Sequence, residues 1–215
     1  MEAERRQVTV LFADMVGFTA FSERSGEEAA FTLMQNLAKL MEGPVRDHGG
    51  VVQGFTGDGI MAVFGAPVAF EDAPLRACRA ALAILDRLKA EGGDLEAKHG
   101  IRPHLRIGLN FGPAVTGRVQ VGADAAVTVL GDTVNVAARL QSLAEPGTAL
   151  MSEATNRLVQ GLVEASFAGE HRIKGKLELQ KAHRLDAIRL TAARFDAKIH
   201  RGLTTYVGRG QELGV

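Results

Sequence analysis

The sequence predicts an α+β fold, a ferredoxin-like βαββαβ sandwich with C-terminal additions and one long projecting β-hairpin. Three observations predict it. Residues 27–47 and 72–89 carry apolar side chains at intervals of three and four, the period of an amphipathic helix. Roughly six shorter segments alternate or run apolar over strand lengths. The segments follow one another as strand, helix, strand, strand, helix, strand before the additions begin, an order that lays two helices against one sheet. With 215 residues, 46% of them hydrophobic and 23% charged, the chain is long enough to bury a core and too apolar to stay unfolded.

The first strand covers residues 7–13 and ends in Asp14, followed by Met15-Val16-Gly17-Phe18-Thr19. A strand giving way to a glycine turn and a helix start leaves backbone N–H groups free, the ingredients of an anion site. A carboxylate beside such a cradle makes sense only with a cation between them, although an aspartate closing a strand is also commonplace. On the helix of residues 27–47, Phe31, Met34, Ala38, Met41 and Val45 are expected to face inward, with Pro44 kinking the last turn and Gly49 as a cap. Residues 51–56 and 60–64 then flank Gly57-Asp58-Gly59, and Asp-Gly between two such runs is a hairpin signal. That places the Asp58 carboxylate at the tip of a tight turn, a position aspartate also takes with no ligand present. After Ala66-Pro67, the helix of residues 72–89 is expected to turn Leu75, Cys78, Leu82, Leu85 and Leu88 inward.

Residues 104–111 alternate, with Leu105, Ile107, Leu109 and Phe111 on one face. Strand character continues through 114–121 and returns over 125–130, a hairpin longer than one small domain needs and directed at a partner subunit. Gly131-Asp132-Thr133 opens a further helix with Asp132 as its expected N-cap. On it Asn135 and Arg139 share a face, with Cβ atoms about 6 Å apart, while Val136, Leu140 and Leu143 are expected to pack inward. An Asn-Arg pair has the groups to hold a sugar and a phosphate together, and it is also the composition of a solvated surface. Pro146-Gly147 makes a turn, residues 152–159 a short helix with a Ser cap, Lys174 and Lys176 flank a glycine in a basic connection, and residues 183–185 form a last strand. In the predicted sheet the first strand and the central hairpin are neighbours, so Asp14 and Asp58 converge.

Lysine plus arginine and aspartate plus glutamate both number 25, a balance without the electrostatic footprint of a nucleic-acid binder. Cys78 is the single cysteine, which rules out an internal disulfide and fits a reducing compartment. The start, M-E-A-E-R-R, carries no apolar signal segment, and no apolar run approaches the roughly 20 residues that span a bilayer. The expected location is the cytoplasm, away from membranes.

Four long motifs stand in order: V-T-V-L-F-A-D-M-V-G-F-T, H-G-G-V-V-Q-G-F-T-G-D-G-I-M-A-V-F-G, L-R-I-G-L-N-F-G and V-T-V-L-G-D-T-V-N-V-A-A-R-L. With them the sequence resembles the catalytic domain of the class III nucleotidyl cyclases, the adenylate and guanylate cyclase family, over most of its length. The resemblance implies that Asp14 and Asp58 hold two Mg²⁺ or Mn²⁺ ions, with the backbone carbonyl of Met15 as a further ligand. It implies that Gly17, Phe18 and Thr19 wrap the triphosphate, that Asn135 orients the ribose, that Arg139 stabilises charge at the α-phosphorus, and that Lys174 or Lys176 grips the terminal phosphates. It also implies a head-to-tail homodimer in which one copy supplies the aspartates of a site and the other supplies the Asn-Arg helix. The implied reaction is attack of the ribose 3′-hydroxyl on the α-phosphate of ATP, giving 3′,5′-cyclic AMP and pyrophosphate.

One departure stands out. Many members place a purine-reading lysine four residues before the second aspartate, where this chain has Gly54. The next base-reading place corresponds to Thr128, so base selection falls to Thr128, backbone groups or Gln53, with ATP as the first reading and GTP as the alternative. A nucleotide-binding dimerisation module without turnover is the competing reading. A diguanylate-cyclase-like or polymerase-palm transferase shares the metal logic but leaves the Asn135/Arg139 helix without a use. Residues 1–187 are read as the catalytic domain and residues 188–215 as a linker. Within the linker, residues 202–213 resemble the entry to a downstream P-loop ATPase module.

Overall fold

In the computed structural model, which describes residues 3–55, 57–121, 124–173 and 178–189, the sheet is built around its long first strand. That strand, β1 (Glu4–Met15), lies between β3 (Gly59–Phe64) and β4 (Leu105–Val121) and is antiparallel to both. β2 (Val51–Phe55) pairs outside β3, giving the order β2-β3-β1-β4 of a βαββαβ sandwich, as the element order predicts. Beyond β4 the sheet gains β6 (Thr148–Ser152), parallel to β4, then β8 (Gln180–Ile188) and the edge strand β7 (Val163–His171), both pairing antiparallel. β5 (Asp124–Leu130) folds back on the far half of β4 and forms the expected long hairpin.

The helices divide between the two faces. α2 (Glu27–Asp47) and α3 (Ala73–His99) cover one, joined by the short α1 (Phe18–Ser25), while α4 (Asp132–Leu143) lies on the other. α5 (Glu153–Val159) caps the end near β4 and β6, its Ser152 side chain accepting from the Thr155 backbone N–H at 3.2 Å as the sequence predicts. The two-residue period of β1 sorts its side chains: Leu11, Ala13 and Met15 enter the core under α2 and α3, whereas Val8 and Val10 pack toward α4. Asp14 therefore emerges on the α4 face.

Several expectations are corrected. α2 buries Ala30, Leu33, Leu37, Leu40, Met41 and Val45, so of the five residues expected inward only Met41 and Val45 reach the core, and Phe31 is 56% exposed. Two adjacent apolar stripes run along this helix, and packing against α3 selects the other one. Pro44 is accommodated inside α2, which continues to Asp47 and ends on His48 instead of Gly49. α3 runs past residue 89 to His99 and stops at Gly100, because Gly92 and Gly93 lower helix propensity without breaking the backbone ladder. Its innermost line is Ala77, Cys78, Ala81, Ile84 and Leu88, while Leu75, Leu82 and Leu85 are only partly buried against the core. The N-cap of α4 is Gly131, with Asp132 as the first helical residue, and Leu143 is 42% exposed where burial was expected. β6 and β7 are additional to the roughly six strands expected.

Lys174, Lys176 and the linker from residue 190 onward, including residues 202–213, lie outside the described residues. Among the described residues, no helix is long and apolar enough to cross a membrane.

Candidate active site

β1 delivers Asp14 to the sheet end where the β2–β3 turn presents Asp58. The register pairs Asp14 with Gly59, the neighbour of Asp58, so the two carboxylates meet and share a hydrogen bond. Gly59 permits this approach: a Cβ there would overlap the Ala13 carbonyl and stand 2.7 Å from Asp14 Oδ1. Burial raises the Asp14 carboxyl from 3.8 to about 7, helped by the negative charge of Asp58 and by the bond between the two acids. A hydrogen bond from the Met15 backbone and the positive charge of Arg106 pull the other way.

The expected strand, glycine turn and helix start follow Asp14. Gly17 is the N-cap of α1 with φ 74°, Thr19 is exposed, and Phe18 packs its ring partly against the main core. Met15 is buried at the end of β1, its backbone paired with Leu105.

α4 is fastened to β4 from beneath. Buried Asn110 donates from Nδ2 to the Thr133 carbonyl at 3.0 Å, and Thr133 Oγ1 donates to the Pro113 carbonyl at 2.7 Å. At Gly108 the helix backbone rests directly on the strand, since a Cβ there would overlap the Ala137 carbonyl and the Gln141 amide. Val136, Ala137 and Leu140 face the sheet, which leaves Asn135 and Arg139 exposed on the outer side as their spacing predicts.

These pieces enclose one cavity of about 610 Å³ lined by Phe12, Asp14, Asp58, Asn135, Ala138, Arg139, Gln141 and Ser142. A single chain therefore brings the two acids and the Asn-Arg pair to one opening. Gly17, Phe18, Thr19, Gly54 and Thr128 are not among its lining residues. Gly54 sits where the β2 register breaks after Val52, and a Cβ built on it meets nothing within 4 Å. Thr128 lies half-buried on β5 opposite Gly117. β5 touches β2, and buried Gln53 Oε1 has no partner.

Two residues here went unnoticed in the sequence. Arg106 stands opposite Asp14 in the β1–β4 register, and its Nε is buried without a hydrogen-bond partner. A lone arginine between Leu105 and Ile107 in an apolar strand was the available signal. Gln141 donates from Nε2 to Asp14 Oδ2 at 3.4 Å, and nothing in its local pattern marks it.

A sequence profile of the Adenylate and Guanylate cyclase catalytic domain matches residues 1–186. The chain belongs to this family. The cyclase domain is 33% identical over 176 residues to Adenylate cyclase 1 of Rhizobium meliloti (strain 1021), a match covering 81% of this chain and 26% of that protein. It thus spans about a quarter of that relative's length. Its fold is similar to the adenylyl cyclase CyaB from P. aeruginosa, with TM-score 0.83 and 27% identity over 88% of this chain and 98% of that one. It is equally similar to the guanylyl cyclase Cya2, with TM-score 0.83 and 25% identity over 89% and 97%. Likeness of fold is therefore indifferent to which purine is used.

Proposed function

We propose that this cyclase domain converts ATP into 3′,5′-cyclic AMP and pyrophosphate at sites shared by two copies of the chain. The observation that carries the chemistry is the Asp14–Asp58 pair on a cavity that also presents Asn135 and Arg139. The sharing between copies rests on the resemblance to head-to-tail dimeric cyclases, since one chain already brings all four to one opening. Two acids held in contact, one of them raised to about 7, are an arrangement that a bound dication relieves. Hard oxygen donors fit Mg²⁺ or Mn²⁺. Among the described residues no group of three or more His, Cys, Asp or Glu is placed to hold a metal, and the family resemblance supplies the Met15 carbonyl and the nucleotide's own phosphates as the further proposed ligands. Two such ions, when bound, lower the pKa of the 3′-hydroxyl and neutralise the departing pyrophosphate.

The chain's own groups do the rest. Gly17, Phe18 and Thr19, at the start of α1 just past Asp14, offer backbone N–H groups for the triphosphate although they stand outside the cavity lining. Arg106, with a buried guanidinium nitrogen to spare beside Asp14, adds positive charge for phosphate oxygens, as does Lys174 or Lys176. Asn135 holds the ribose so that its 3′-oxygen lies in line with the bond to pyrophosphate. Arg139 meets the charge that develops at the α-phosphorus, a role worth on the order of a thousandfold in related phosphoryl chemistry. Thr128, with a hydroxyl that donates and accepts, reads the base, and ATP is the proposed substrate.

Incubation of the purified protein with equal ATP and GTP and Mn²⁺, followed by product identification, tests the reading. Cyclic AMP is the expected product; predominant cyclic GMP reverses the base assignment. Gly54, which brings no side chain to the purine-reading place, favours one alternative, a nucleotide-binding dimerisation domain without turnover, and normal ATP binding with no product, unchanged in Arg139→Ala, would support it. Mixing Asp58→Ala with Arg139→Ala chains should restore part of the activity each lacks. A mixture that stays inactive while the heterodimer forms refutes the shared site. We also propose that a P-loop ATPase module follows residue 215 in the full-length protein, which sequencing the gene past that codon tests.

A further inference from the structure

α4 reaches the carboxylate pair through one side chain. Gln141 Nε2 donates to Asp14 Oδ2 at 3.4 Å, bridging 127 residues of sequence. The neighbouring Ser142 hydroxyl spends its one proton on the Ala138 carbonyl at 3.1 Å, so the amide is oriented by Asp14 itself, whose carboxylate accepts only from the Nε2 end. The helix cannot drift from this position inward, since its backbone already rests on Gly108. Asp14 is confined on its second oxygen too: Oδ1 lies against Gly59, where even a methyl group would crowd it. One oxygen is thus set by the hairpin backbone and the other by α4. Gln141 is neutral, so it fixes the direction of the carboxylate while leaving its negative charge for a cation.

We propose that Gln141 is a positioning residue for the metal-binding carboxylates, holding Asp14 in the orientation that a divalent ion requires. This rests on the metal role proposed for Asp14 and Asp58. A carboxylate already held by an outer partner loses less rotational freedom when an ion binds, and removing such a partner typically weakens metal binding about tenfold or more. Gln141→Met keeps the length and helix propensity of the side chain and deletes the donor. Gln141→Glu keeps the reach and brings a third carboxylate beside the pair, a ligand a divalent ion favours.

The experiment is a Mn²⁺ titration of the nucleotide-free protein, with free Mn²⁺ read from its electron paramagnetic resonance signal and folding checked by circular dichroism. The Mn²⁺ dissociation constant should rise about tenfold in Gln141→Met and fall below the parent's in Gln141→Glu. A weakened Mn²⁺ affinity in Gln141→Met with the thermal unfolding of the metal-free protein unchanged within about 2 °C is the signature of positioning, because a merely structural role would lower Tm as well; tightening in Gln141→Glu reports only that position 141 stands beside the ion. A Gln141→Met affinity equal to the parent's, or weakened only together with a loss of Tm, overturns the assignment of Gln141 while leaving the carboxylate pair intact. A parent protein that binds no Mn²⁺ overturns the metal reading and this inference together. Should Gln141→Met fail to fold, Gln141→Leu, which likewise lacks the donor, takes its place, and Mn²⁺ binding as tight as the parent's refutes the proposal.

Discussion

Replacing Gly108 with alanine should lift α4 off the sheet and displace the Asn135 and Arg139 that it carries. The added Cβ would stand 2.8 Å from Gln141 Cα, where carbon atoms ordinarily rest about 3.5–4.0 Å apart, so the helix must retreat by about 1 Å. The obstructing atoms nearest the Cβ are backbone on α4, and no side-chain rotation relieves them. A displacement of about 1 Å at a reacting centre costs about a hundredfold in rate, and overpacking of this kind costs about 1–3 kcal/mol of stability. For a chain of this size each kcal/mol lowers Tm by about 2–4 °C. Cyclic-nucleotide formation at saturating metal and thermal unfolding by circular dichroism measure the two effects on the same sample. Gly54→Ala is the matched control, since its Cβ enters open space, and its Tm should stay within about 2 °C of the parent. A Gly108→Ala protein with parental kcat and Tm would refute the direct seating of α4 on β4, and with it the account of how the site is assembled.

Three further outcomes follow from the chemistry of single groups. In metal-free protein Asp14 binds its proton more tightly when folded, about 7 against 3.8, so its contribution to stability is full below pH 3.8 and is lost as pH rises to about 7. Urea unfolding in a chelator should show that decline and Asp14→Asn should flatten it; a parent profile already flat across this window contradicts the burial described for Asp14. Glu153 behaves oppositely: its hydrogen bond to His183 at 2.6 Å holds its carboxyl below the usual 4.5 despite some burial, so its contribution is present above pH 4.5 and lost as pH falls through the lowered value. Glu153→Gln should cost about 0.5–1 kcal/mol at neutral pH and remove that acid-side loss, whereas an unchanged acid limb would show the pair to be without weight. Cys78 is fully buried and its thiol is pushed up to about 12 by burial, so alkylation at pH 8 should proceed only at the rate of unfolding, and rapid labelling of the native protein would contradict its place in α3.

Local signals reached far in this chain. The strand, glycine turn and helix start around Asp14, the Asp-Gly hairpin at Asp58 and the shared face of Asn135 and Arg139 all act over a few residues, and all appear where the sequence puts them. Because the β-α-β-β-α-β order leaves few ways to arrange the sheet, the neighbouring of β1 and β3 that joins the two acids was also legible. α2 shows where that reach ends. With apolar residues on two adjacent stripes, it has no internal reason to bury Leu33 and Leu37 instead of Phe31 and Met34, and the choice is made by the surface of α3.

What the amino-acid sequence determined by itself is the family, the element order and the four side chains facing the cavity, because periodicity, turn chemistry and motif spacing are properties of neighbouring residues. What only the tertiary structure decided is how those side chains are held: Arg106 beside Asp14, Gln141 reaching the same carboxylate, and the helix backbone resting on Gly108. Such contacts join residues as many as 127 positions apart and come into being only when helix and sheet are pressed to their final separation.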